Sequence, residues 1–151
     1  MNKLLIYLDN CCYNRPYDDL SSITVYLEAE AKLTIQDLVK NNNIDLVWSY
    51  ILEFENSANP SIERKVSILE WKEIAKINVI ECNSILSNAK EFLSIGLGVK
   101  DSIHIACAIE ANCDYFITTD KGIIKKAKTI DNIKILNPLN FIQFIEDVNE
   151  N

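Results

Sequence analysis

The stretch Leu4-Leu5-Ile6-Tyr7-Leu8-Asp9-Asn10-Cys11-Cys12 opens on five apolar residues and stops them abruptly with an aspartate. A short continuous apolar run reads as a strand covered on both faces, the usual look of a strand in a parallel sheet. The ending recurs more than a hundred residues later, where Tyr115-Phe116-Ile117-Thr118-Thr119 runs into Asp120. One aspartate after a strand is a loop residue. Two of them, after two buried strands, suggest a site.

Working outward, residues 44–49, 77–82 and 133–136 read as further short strands beside 4–8 and 115–119. Helical periodicity fills the intervals at about 20–40, 49–57, 61–74, 84–95, 100–112, 121–128 and 141–148. Asn59-Pro60-Ser61 and Asn137-Pro138 read as breaks, and Gly96-Leu97-Gly98 as a helix end. Strands alternating with helices predict an α/β fold: a three-layer α/β/α sandwich around a mainly parallel sheet of about five strands. The expected extent is one domain over residues 1–151.

Composition agrees and sets limits. With 48% apolar residues, three glycines and three prolines, the chain has the makings of a core and not of a linker. No apolar run approaches the roughly 20 residues that span a bilayer, so no membrane partner is expected. The opening MNKLLIYLDN is too short in its apolar part to be expected as a signal peptide. Five cysteines (Cys11, Cys12, Cys82, Cys107, Cys113) without CxxC spacing indicate neither a disulfide framework nor a zinc site. Cys82, Cys107 and Cys113 read as core residues, and the expected home is a reducing cytoplasm. A single histidine speaks against a Cys–His nucleophile pair. The net charge of −7 argues against a broad basic face for nucleic acid, though not against a small footprint built around a metal ion.

In open parallel sheets ligands bind beyond the carboxyl ends of the strands, where strand order reverses. Asp9 and Asp120 both stand at such ends and belong to one rim. Asp101, after Gly-Leu-Gly-Val-Lys, stands at a helix start, where a carboxylate is also an ordinary cap. Glu53 and Glu55 follow the second strand; about 200° apart on a helix, they cannot both face one site. Asp114 begins the fourth strand, about 20 Å from Asp120, and is excluded. Asp18 and Asp19 read as the start of the first long helix.

These motifs resemble those of the PIN domain, a nuclease fold found in VapC-type toxins of toxin–antitoxin pairs and in RNA-processing enzymes. Tyr7-Leu8-Asp9-Asn10, Ser49-Tyr50-Ile51-Leu52-Glu53-Phe54-Glu55, Lys100-Asp101-Ser102-Ile103-His104 and Phe116-Ile117-Thr118-Thr119-Asp120 carry its four acids in order. In the family pattern the glutamate lies six residues after the serine closing the second strand, which selects Glu55 over Glu53. The resemblance implies Asp9, Glu55, Asp101 and Asp120 as catalytic and metal-holding residues. It implies a hydrolase: an endoribonuclease cutting phosphodiester bonds with a metal-activated water, as the toxin of a pair. RNA would be the substrate, an antitoxin protein the partner, and a homodimer an allowed assembly.

The physical chemistry of such a cluster stands apart from the resemblance. Two carboxylates 4 Å apart repel by about 4 kcal/mol at an effective dielectric near 20. Four together take up protons or bind cations, and all-oxygen donors suit Mg²⁺ or Mn²⁺. Around them, Asn10, Thr118 and Thr119 read as structural first, and His104 as a packed, hydrogen-bonded residue. Arg15, Lys100, Lys121, Lys125, Lys126 and Lys128 offer positive charge for a phosphate backbone or a solvated surface. The alternative is a catalytically inactive PIN-like module that binds RNA or protein. A phosphatase or phosphotransfer receiver ranks lower, because no DxD pair follows the first strand.

Overall fold

The computed structural model describes residues 3–150; Met1, Asn2 and Asn151, included in the domain expected from sequence, lie outside the described residues. Five strands, β1 (Leu5–Leu8), β2 (Asp45–Ser49), β3 (Ile77–Val79), β4 (Tyr115–Ile117) and β5 (Lys134–Leu136), form one sheet in the order β3-β2-β1-β4-β5. Every pairing is parallel. Register is continuous across the middle, with Tyr7 opposite Val47 on one side and Phe116 on the other. All carboxyl ends therefore share a rim, and the order reverses between β1 and β4.

Chain direction then decides the layers. From β1 to β2 to β3 the chain steps one way along the sheet; from β3 to β4 to β5 it steps the other way. Right-handed crossovers put the two sets of connections on opposite faces. One face carries α2 (Ile23–Lys40), α3 (Tyr50–Ser57) and α4 (Ile62–Ile74). The other carries α5 (Asn83–Ser94), α6 (Val99–Glu110) and α7 (Lys121–Lys126). The last helix, α8 (Pro138–Glu150), packs against α2, and α5 packs against α6. The result is the expected three-layer sandwich.

The core is what the apolar strands required. Ile6, Tyr7 and Leu8 of β1 are fully buried, as are Val47 and Trp48 of β2 and Phe116 and Ile117 of β4. Tyr7 stacks on Phe116 with ring centroids 5.3 Å apart, while Trp48 meets Tyr13 edge-on at 5.5 Å on the α2 face. Side chains of Ser22, Ser49 and Ser61 accept from the amides of Val25, Leu52 and Arg64, starting α2, α3 and α4.

Several boundaries differ from the sequence reading. A short helix, α1 (Asn10–Asn14), and a 3-10 turn (Arg15–Tyr17) occupy a segment for which the sequence predicts no element. Asp18 and Asp19 do not start α2: Ser22 caps it, and Asp19 instead accepts from the Ser21 amide at 3.0 Å. Asn137-Pro138 is no turn but a helix start. Pro138 spends no amide there, and the Asn137 side chain accepts from Asn140 N–H at 2.8 Å. Strands three and four end earlier than expected, at Val79 and Ile117. Cys107 and Cys113 are core residues, whereas Cys82, at the start of α5, is only half-buried: it packs against the edge of the core and donates to Glu110 Oε1 at 3.5 Å.

Gly96 sits at φ +96°, just past the end of α5, as a left-handed helix stop. A Cβ there meets nothing closer than the flexible Lys126 side chain at 3.9 Å, so conformation and not space demands glycine. Gly96→Ala is expected to cost about 1–2 kcal/mol, read as a fall in Tm of about 2–8 °C by thermal denaturation.

Candidate functional site

Asp9 closes the central strand and starts α1. Its backbone N–H still pairs with Ile117 O at 2.9 Å, while the side chain turns up at the rim and is buried. Oδ1 accepts from the Asn10 amide at 2.8 Å. Oδ2 accepts from the Thr118 hydroxyl at 2.7 Å and from Cys11 Sγ at 3.4 Å. Burial of a carboxylate is costly unless donors meet it, and here the next turn and the neighbouring strand both supply them.

Asp120 performs the matching task after β4. Thr118 Oγ1 accepts its amide at 3.1 Å, and its own Oδ1 caps α7 by accepting from Ile123 N–H at 3.1 Å. Thr118 thus touches both strand-end aspartates, through a side chain to one and a backbone amide of the other. Asp101 lies in the first turn of α6, but Gly98 is the capping position, so the carboxylate is not used as a cap. Among the described residues no donor reaches it. Burial raises its pKa, and the charges of Asp9, Asp120 and Glu55 push it further up, against a pull from His104.

Glu55 comes from α3. Burial alone would raise its pKa, but hydrogen bonding and charge from His104, with Lys100 and Asn10 contributing, bring it below the usual range. Oε1 bonds His104 Nε2, and Oε2 accepts from Asn10 Nδ2 at 3.2 Å. His104 is fully buried, as a packed histidine should be, and its Nε2 lies 3.8 Å from Asp9 Oδ1.

These four acids, with Asn10 and Cys11, line one open cavity of about 320 Å³ at the carboxyl rim. Asn14, Arg15 and Asp18 complete its wall. Glu53 is elsewhere, paired with Lys72 at 2.7 Å on the outer face of α3. Asp114 is at the opposite end of the sheet, accepting from Leu5 N–H at 2.8 Å. Two larger or equal openings lie at that amino end, around Asp114 and Lys134 or Asp45 and Lys76, without a comparable set of acids. Arg15 does face the cavity, but it is paired with Asp18 at 3.0 Å and with buried Glu28 at 3.5 Å. Of the lysines after Asp120, Lys126 is held by Gly96 O at 3.1 Å, leaving Lys121, Lys125 and Lys128 exposed. Lys100 lies over the Phe54 ring at 5.8 Å.

The donor chemistry fits a hard divalent cation: carboxylate oxygens and side-chain amides, gathered where burial and like charge already raise the Asp101 pKa. Among the described residues, however, no three His, Cys, Asp or Glu side chains stand ready to hold a metal ion together. Glu55 is engaged by His104, and Asp9 and Asp120 by their caps. A cation would have to draw these groups inward.

Fold and rim together define a parallel α/β domain with an acid-lined cleft at its switch point. A family model for the PIN domain matches residues 20–129, and the chain belongs to that family. Glu55, Asp101 and Asp120 fall inside the match, and Asp9 before it. Among solved structures the chain is similar to FitAcB from Neisseria gonorrhoeae, at 15% identity and a TM-score of 0.58. It is also similar to VapBC2 from Rickettsia felis bound to a DNA fragment from their promoter (18%, TM-score 0.56). A third likeness is to DNA-bound VapBC from Salmonella typhimurium (12%, TM-score 0.56). Each comparison covers 89% of this chain and 98% of the other. No curated protein matches the chain in sequence.

Sequence reasoning missed Tyr7 and Ser49, which support His104, and Cys11, which leans on Asp9. Only the tyrosine, polar-tipped in an otherwise aliphatic strand, gave any signal. The electrostatics yield a prediction for metal-free protein. Asp101 has a raised folded pKa, so its charged form opposes folding near pH 7. Asp101→Asn should therefore raise Tm by about 1–3 °C at that pH, allowing for solvent screening. The gap should close as pH falls toward the unfolded aspartate pKa, where the wild-type group is protonated in both states. Differential scanning calorimetry at several pH values, with chelator present, reads both effects.

Proposed function

We propose that the chain is a divalent-metal-dependent endoribonuclease, acting in the cytoplasm as the toxin of a toxin–antitoxin pair. The observation that carries this reading is the meeting of four acids from four distant segments, Asp9, Glu55, Asp101 and Asp120, around one rim cavity. Family membership supports nuclease chemistry, and the likeness to VapBC and FitAcB supports an antitoxin partner.

Asp9, Asp101 and Asp120 would hold Mg²⁺ or Mn²⁺, with Glu55 closing the set from α3. When bound, such an ion supplies charge for phosphate oxygens and acidifies a water near neutral pH. The chain's own residues prepare the rest. Thr118 and the α1 amide hold the Asp9 carboxylate by both oxygens and aim it at the rim. Asn10 tethers Glu55 and offers an amide at the cavity wall. Exposed Lys121, Lys125 and Lys128 lie beyond Asp120 and would meet the phosphate backbone, a small basic strip on an acidic protein.

A second reading, a PIN fold that binds RNA or protein without cutting, draws on one observation: the acids are not prearranged around a metal ion among the described residues. Two measurements separate the readings. Mn²⁺ should raise the wild-type Tm, with a stabilisation of about 2.7 kcal/mol at 100 times its Kd. Asp9→Asn should lower cleavage of a labelled RNA pool by at least about 100-fold, the scale of losing one preorganised electrostatic group. Glu53→Gln, on the outer face of α3, should cleave as wild type does. Equal cleavage by wild type and Asp9→Asn would assign the activity to a contaminant. A flat Mn²⁺ response with RNA binding retained would favour the binding module.

A further inference from the structure

We propose that His104 is a positioning residue: a buried hydrogen-bond chain from Ser49 through Tyr7 to His104 fixes its ring and so presents Glu55 to the acidic cavity. The proposal rests on the reading of Glu55 as part of a metal-holding set. It adds three buried residues, of which His104 alone reaches the acids, bonding Glu55 and lying 3.8 Å from Asp9 Oδ1.

The contacts form a continuous path. Ser49 Oγ and Tyr7 Oη are 2.6 Å apart, and Tyr7 Oη and His104 Nδ1 are also 2.6 Å apart. His104 Nε2 then bonds Glu55 Oε1. Ser49, Tyr7 and His104 are all fully buried, so water supplies none of their hydrogens. An ionised carboxylate only accepts, so Nε2 carries the hydrogen in that bond, whatever the state of Nδ1. Burial pushes the Tyr7 pKa well up, so its hydroxyl keeps its hydrogen and is held between Nδ1 and Ser49 Oγ. Ser49 is itself fixed from two further sides, accepting from Leu52 N–H at 3.3 Å and bonding the Cys107 thiol.

The path also explains its geometry. Tyr7 is stacked on Phe116 and meets His104 edge-on at 5.7 Å, so the hydroxyl cannot swing away. Ser49 and Tyr7 lie on adjacent central strands, Glu55 on α3 and His104 on α6, one turn beyond Asp101. A helix on each face of the sheet is thereby referred to the same two strands. Histidines that orient a ligating group are commonly set by whatever their other nitrogen bonds, and loss of such a partner weakens metal affinity by about 10–100-fold.

The test uses wild-type protein purified without a histidine tag. His104 is its single histidine, so a long-range ¹H–¹⁵N correlation spectrum reports that ring alone. A hydrogen on Nε2 in metal-free protein is the expected result, and a ring that carries hydrogen on Nδ1 alone would overturn the proposal. Titration of free Mn²⁺ by electron paramagnetic resonance then reads the consequence. His104→Leu should weaken Mn²⁺ binding by about tenfold or more, and His104→Gln, whose amide can still donate to Glu55, should restore it to within about threefold. Tyr7→Phe keeps the stacked ring but removes the partner of Nδ1, and should shift the His104 ring resonances in that spectrum, a readout that does not depend on His104 variants folding; unchanged resonances would overturn the chain. Equal Mn²⁺ affinity in wild type and folded His104→Leu would sink the positioning role alone. No Mn²⁺ binding by wild type would sink the metal reading of the site, and the proposal with it.

Discussion

β1 has a hydrogen-bonded parallel neighbour on each edge, β2 and β4, and helices over both faces. Past the half-buried Leu5, its residues Ile6, Tyr7 and Leu8 have no exposed surface. Whatever follows Leu8 must leave the sheet at the rim, between two strands whose connections depart to opposite faces. A carboxylate at that point can be buried only if donors are already in place, and the chain places them from both directions. The first amide of α1 comes from the chain itself, and the Thr118 hydroxyl from β4's exit. The acid rim is thus a consequence of sheet order. Moving β4 away from β1 would leave Asp9 buried without its hydroxyl partner and Thr118 without an acceptor.

The four acids are held on unequal terms. Asp9 and Asp120 serve the fold as well as the rim, since each begins a helix through a side-chain bond to an amide. Glu55 is carried by α3 and restrained at both oxygens, by His104 and by Asn10. Asp101 alone has like charge on several sides and no donor among the described residues. Desolvation and repulsion both act against its ionised form, so it concentrates the electrostatic cost of the arrangement. Capping energy offsets that cost for two members and a histidine offsets it for the third.

The strands and their charged ends were legible because apolar runs are local. Leu5–Leu8 and Tyr115–Ile117 announce burial within a few residues, and Ser49 and Ser61 announce the helices that follow. Asn10–Asn14 was not legible. Five residues of Asn-Cys-Cys-Tyr-Asn have no helical period to read, and the helix exists because Asp9 caps it while Cys12 and Tyr13 pack inward. Pro138 misled for a related reason: proline breaks a helix interior but costs nothing at its first turn. The support of Glu55 was hidden by distance along the chain. Tyr7 stands 42 residues from Ser49 and 97 from His104, and neither spacing carries a sequence pattern.

Charge balance at the rim also bears on how an acidic protein can approach a polyanion. Arg15, the one arginine in the cavity wall, is already spent on Asp18 and on Glu28, whose pKa burial raises and Arg15 and Lys121 pull down. It therefore neutralises protein carboxylates before it can meet a phosphate. What remains near Asp120 is the outer side of α7 and the turn after it, where Lys121, Lys125 and Lys128 are exposed. With a net charge of −7, long-range attraction of nucleic acid is weak, and contact has to come from short-range features at the rim. A divalent cation in the acid cleft would offset about half the charge of its four carboxylates and present positive charge to a phosphate where the lysine strip ends. The acidity of the whole chain and a phosphodiester at this rim are then compatible, because the field a backbone feels within one Debye length is set by the ion and the strip, and not by the distant surface.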